Sequence, residues 1–115
     1  MSAVAYIRCV LDLYLSIPET PTRARPADRQ LAATLQQQGI PLDIIAAAFV
    51  LATARRHSRD PEAPALPPVR SLHYYLPVIE ELLANPPAAG YCESLRRRLA
   101  AHAPGLLAEI GHQVP

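Results

Sequence analysis

The sequence predicts an all-α protein, a compact single domain of five helices in orthogonal or bundle-like packing. Three observations predict it. Apolar residues recur at helical spacing in each periodic segment. No stretch shows the apolar–polar alternation of a half-buried strand. The 13 prolines fall between the periodic segments, where they act as punctuation. With 115 residues, half of them hydrophobic, the chain is long enough for one domain with a real core. The expected limits are a helical domain over residues 1–103 and a C-terminal tail, 104–115, that adds at most one short helix.

The first helix is expected over 3–16. Its polar positions Arg8, Asp12 and Ser16 recur every fourth residue and form one narrow stripe. The surrounding Val4, Ile7, Val10, Leu11, Leu13, Tyr14 and Leu15 predict a helix covered by neighbours on most sides. Pro18 and Pro21 end it, and a polar loop follows. The second helix is expected over 26–38, with Pro26 in its first position, Asp28 near the positive end of its dipole, Leu31 and Leu35 inward, and Gly39 just past its end.

The third helix repeats that opening with Pro41 and Asp43. It continues through an apolar run, Ile44 to Ala52, and ends in Arg55, Arg56, His57 and Arg59, where the dipole favours cations. It is the expected central, buried helix. Residues 60–68 read as an extended, proline-rich linker. Ser71 then caps a short turn through Tyr75. Pro77 lacks an amide and clashes with the preceding turn, which predicts a break or kink near Leu76. A fourth helix, 77–84, follows with Val78, Ile79, Leu82 and Leu83 inward. The fifth is expected over 90–102.

The charge pattern is more informative in kind than in amount. Net charge is +1, so no global basic field announces a nucleic-acid binder. All eleven basic residues, however, are arginine. The planar guanidinium suits phosphate and carboxylate better than an ammonium does. The apolar stretch 4–17 is broken by Arg8 and Asp12 and is too short to cross a bilayer, so no signal peptide or membrane anchor is expected. Cys9 and Cys92 sit in apolar, helix-like surroundings and read as buried reduced thiols, which fits a cytoplasmic protein.

Few residues suggest chemistry. His57, His73, His102 and His112 are scattered, and no pair of His or Cys has metal-ligand spacing, so neither a metal nor another cofactor is expected. There is no glycine-rich phosphate loop and no nucleophile elbow. Glu80 and Glu81 are adjacent and point to different faces of a helix, so they cannot act as a matched acid–base pair. The expectation is a protein that is not an enzyme.

The arginines group at 23, 25 and 29, at 55, 56 and 59, at 70, and at 96, 97 and 98. Such groups serve as solvated helix faces that complement the dipole. They bind phosphate only where two or more converge on one face. Tyr74 and Tyr75, beside Arg70 and His73, suggest a stacking patch, although adjacent tyrosines more often split between core and surface. The candidate nucleic-acid-binding residues are therefore Arg55, Arg56, Arg59, Arg70, Tyr74, Arg96, Arg97 and Arg98.

The string Gly39-Ile40-Pro41-Leu42-Asp43-Ile44-Ile45, followed by Ala48 and Ala52 and then by Ser71-Leu72-His73-Tyr74-Tyr75-Leu76-Pro77-Val78-Ile79-Glu80-Glu81, resembles the DnaD-like helical domain of bacterial replication-initiation and helicase-loading proteins. It is also similar to helical ends of mobile-element replication proteins. The resemblance covers 39–83. It implies an accessory role in a nucleoprotein complex, with Arg70, Tyr74 and Tyr75 at the positions nearest the family's DNA-proximal segment.

Together these readings predict a non-catalytic accessory domain of a bacterial replication or mobile-element complex that contacts nucleic-acid phosphate through arginine. Its expected partners are nucleic acid and a larger protein complex or further copies of itself, with no membrane. Two alternatives stand beside it. One is a small helical structural subunit of an RNA-guided CRISPR effector complex, on size and class alone. The other is a protein–protein interaction module without nucleic acid, using a groove near the proline-rich linker.

Overall fold

Hydrophobic periodicity translates into four α-helices and one short 3-10 helix in the computed structural model, which describes residues 1–17, 20, 21, 23–57, 59–88, 90, 91, 94 and 97. All regular structure among them is helical. The expected fifth helix and the tail after Pro104 fall mostly or wholly outside the described residues, as does Cys92. Helix α1 spans Ala3–Ser16, α2 Pro26–Gln37, α3 Leu42–His57 and α4 Leu76–Ala84, with the 3-10 helix Leu72–Tyr75 leading into α4. No helix among the described residues is long and apolar enough to cross a membrane.

Each helix end shows how the sequence stops it. Ser2 caps α1, its Oγ accepting from the Ala5 amide at 3.1 Å. At the other end Ile17, which precedes a proline, is extended. The last carbonyls of α1 are satisfied by hydroxyls: Ser16 donates to Leu13 at 2.7 Å, and Thr20 to Ile17 at 2.6 Å and to Tyr14 at 3.1 Å. Helix α2 closes in a Schellman turn. The Ile40 amide reaches the Leu35 carbonyl and the Gly39 amide the Gln36 carbonyl, with Gly39 at φ +70°, a conformation that favours glycine. Both Ile40 and Leu35 are buried, the apolar contact that accompanies this motif.

Two boundaries differ from the sequence reading. Pro41 lies just outside α3 instead of in its first turn, and its carbonyl accepts from the Ile44 and Ile45 amides. At Leu76 there is no break. The tight 3-10 turn relaxes into the α-helix there, with Leu76 at φ −58°, ψ −44°, and Pro77 falls in the first turn of α4, where its missing amide is harmless.

Helix α3 is the centre. Ten consecutive residues, Ile45 to Ala54, are buried, and the helix packs against α1, α4 and the 3-10 helix. Phe49 and Tyr75 meet edge to face at 4.8 Å, and Tyr14 joins Tyr75 at 6.1 Å. The adjacent tyrosines divide: Tyr75 is in the core and Tyr74 is exposed. Burial also departs from the pattern in two places. Leu83, expected inward, is exposed, and on α1 Val4 is exposed while Ile7 and Leu15 are only half-buried.

Asp28 holds the long-range geometry together. It is a buried carboxylate, 1% exposed. Its Oδ2 accepts from the Arg25 amide at 2.9 Å, the expected capping role at the start of α2. Its Oδ1 accepts at 2.9 Å from the amide of Leu72, 44 residues away, at the start of the 3-10 helix. One side chain thus satisfies orphan amides of two helix starts and fixes α2 against the 3-10 helix.

Two tyrosines report on the packing. Tyr6 donates to the Ile40 carbonyl at 2.6 Å, joining α1 to the turn after α2. Tyr14 is fully buried, and its hydroxyl has no hydrogen-bond partner among the described residues. Burial pushes both phenols up to about 12, helped by a nearby Cys9 for Tyr6 and by Asp28 for Tyr14. Unfolded, each ionises near its ordinary 10.0. Between these values the native state holds more protons than the unfolded state, so stability is full below pH 10 and falls as pH rises toward 12. Denaturant melts across that range should show the decline, and Tyr14→Phe should make it shallower. At neutral pH the same substitution removes an unsatisfied buried hydroxyl, and the melt should show no loss, or a gain of about 1 kcal/mol.

Candidate nucleic-acid interface

The last turn of α3 delivers Arg55 and Arg56 to the surface, and Arg59 follows just beyond the helix end at His57. Arg55 faces α4. Its Nη1 and Nη2 donate to Glu81 Oε1 and Oε2 at 3.1 and 2.6 Å, a bidentate fork. These hydrogen bonds hold the Glu81 carboxyl below the usual range and raise the Arg55 guanidinium above its own. Both side chains are about half exposed, so the pair orients α3 against α4 more than it stabilises them.

Arg56 and Arg59 brace the proline-rich segment. Arg56 Nη1 donates to the Tyr74 hydroxyl at 3.1 Å and Nη2 to the Pro67 carbonyl at 3.0 Å, while its guanidinium lies 5.5 Å from the centre of the Tyr74 ring. Arg59 Nη1 donates to the Pro64 carbonyl at 3.0 Å. An Asx turn starts the segment, with the Glu62 amide on Asp60 Oδ1 at 2.9 Å. The segment makes no regular ladder that would pair these carbonyls, and the two arginines supply the donors.

Beside this bracing lies an open hollow of about 300 Å³. Ala52, Leu66 and Val78 supply its apolar lining, Tyr74 adds an aromatic side, and Arg55, Arg56 and Arg59 contribute the cations. A second hollow of about 290 Å³ on the linker shares Arg56, Arg59 and Leu66 with the first. The surface therefore combines an apolar cleft, a half-exposed aromatic ring and oriented guanidinium donors.

Of the candidate residues, the structure brings Arg55, Arg56, Arg59 and Tyr74 together. Arg70 is exposed just ahead of the 3-10 helix and lines neither hollow; Arg97 is exposed and lines neither. Arg96 and Arg98 lie outside the described residues. Sequence reasoning missed Leu66 and Val78, because a lone leucine in a proline-rich stretch and a valine assigned to the core give no sign of meeting across a cleft. Among the described residues no three His, Cys, Asp or Glu side chains gather in a way that could hold a metal ion.

Fold and site together define a small helical domain with a basic, aromatic-edged cleft. No family model, no curated protein and no solved structure matches the chain.

Proposed function

We propose that the chain is a non-catalytic accessory domain of a nucleoprotein complex, and that it holds single-stranded nucleic acid in the cleft at the C-terminal end of α3. The observation that carries this reading is the cleft itself: Leu66, Val78 and Tyr74 offer apolar and aromatic surface to a base, Arg59 offers donors to the adjoining phosphate, and Arg56, braced on Tyr74 and Pro67, adds positive charge. Hydrogen bonds to Tyr74, Pro67 and Pro64 pre-orient both guanidiniums, which lowers the entropy lost on binding. Arg55 is committed to Glu81 and serves as support. A replication or mobile-element setting is proposed on the resemblance carried by 39–83.

The test is fluorescence anisotropy of labelled single-stranded and duplex oligonucleotides over a salt series. Binding should weaken steeply with salt and favour the single strand. Tyr74→Ala should weaken it by about tenfold, the value of one base–aromatic stack. Arg59→Gln should flatten the salt dependence by about one charge. Failure to bind either oligonucleotide at low salt would leave the protein–protein module as the better reading.

A further inference from the structure

A second surface has a different character. Val4, Ile7, Leu11 and Leu15 follow one another along α1 at spacings of three, four and four residues, the periodicity of a single helix face. The stripe is covered unevenly: Leu11 is buried and Ile7 and Leu15 are half-buried against the core, while Val4 at its N-terminal end is 69% exposed. The stripe lines an open groove of about 770 Å³ whose other walls come from Ala24 and from Arg8, Asp12, Arg23 and Arg29. The polar complement is three guanidiniums to one carboxylate. None of the three arginines is in an ion pair with a described residue.

We propose that this groove docks an amphipathic helix of a partner protein, apolar on one face and acidic along its edges. Three arguments select that occupant. From Val4 to Leu15 the stripe runs over twelve residues, about 16 Å of helix axis, which matches three turns of a second helix. Anchors at three- and four-residue spacing are what one helix offers another in a helix-in-groove contact. The charge excess complements acidic edges. A nucleic-acid strand suits the groove less well. Among the described residues no aromatic side chain lines it to stack on a base, and Asp12 interrupts the positive surface that a phosphate backbone would follow.

The probe is a synthetic peptide of about 18 residues, long enough to form a helix, with leucines at three- and four-residue spacing and glutamates flanking them. A control peptide has the same composition with the leucines dispersed around the helix. Binding to the full chain is measured by fluorescence anisotropy, with circular dichroism as a folding check. The wild type should bind the patterned peptide and not the control. Arg23→Glu with Arg29→Glu, and separately Val4→Asp, should weaken binding by about tenfold or more. Both variants should keep the helical spectrum and the oligonucleotide affinity, because these positions are exposed and outside the α3 cleft. Equal binding of both peptides, unchanged binding by the variants, or no binding to the wild type would overturn the proposal. So would loss of oligonucleotide binding in the arginine variant, which would assign the groove to nucleic acid. Self-association of the free chain that Val4→Asp abolishes would assign it to a second copy and overturn it equally.

Discussion

Asp28→Ala is expected to cost about 3 kcal/mol and to lower the melting temperature by about 10 °C or more. The carboxylate is 1% exposed and accepts from two amides, those of Arg25 and Leu72, each at 2.9 Å. Alanine leaves both donors without their partner, and the Leu72 bond lies in the core, where an unsatisfied amide costs most. Asp28→Asn keeps one acceptor oxygen but turns its NH2 group toward the other backbone donor, so it should lose about as much as the alanine variant. An Asn that still caps α2 cannot also serve Leu72 with the same oxygen. Chemical denaturation followed by circular dichroism reads the result. A loss under about 1 kcal/mol for the alanine variant would mean that water reaches the site and replaces the carboxylate.

The other large effect is expected at Phe49. Its ring is fully buried on α3 and meets Tyr75 edge to face at 4.8 Å. Phe49→Ala should cost about 4 kcal/mol, from lost transfer energy plus the cavity left where α1, α3 and the 3-10 helix converge. Phe49→Leu, which keeps most of the volume, should cost about 1 kcal/mol. Against a total of roughly 5–15 kcal/mol for a domain of this kind, the alanine variant should be partly unfolded at physiological temperature. Thermal melts of both variants check this. Equal, small losses would place Phe49 in a looser environment than its contacts indicate.

These two residues also show what the sequence reveals and what it hides. Phe49 stands in an apolar run at helical spacing, so its burial was legible from pattern alone. Asp28 was legible in part. An acid in the first turn after a proline reads as a cap, and it caps. Its bond to Leu72 joins positions 44 residues apart, and no local signal encodes a partner at that distance. The bounds of α1 followed from its period and those of α2 to within one residue, whereas the passage at Leu76 did not. A proline in a periodic segment signals a break or kink, but position two of a helix needs no amide.

The candidate interface was legible to a similar degree. Arg55, Arg56 and Arg59 cluster in sequence because they end one helix, and Tyr74 was singled out for its ring. Their partners, Glu81 and the carbonyls of Pro64 and Pro67, come from elements that only the fold brings near. Arg70 is close to Tyr74 in sequence, yet it does not line the cleft that Tyr74 does. The partly covered stripe on α1, open at Val4, shows the converse error. An apolar face predicts that something covers it, without specifying that the cover comes from the same chain.

On the proposed function, nucleic acid occupies the cleft at the end of α3. Amide chemical-shift mapping of the labelled chain during titration with a short single-stranded oligonucleotide tests it most directly. Shifts should concentrate at Ala52, Arg55, Arg56, Arg59, Leu66, Tyr74 and Val78 and fade as salt is raised. Shifts centred instead on Val4, Arg8, Arg23 and Arg29, or no shifts at low salt, would contradict it.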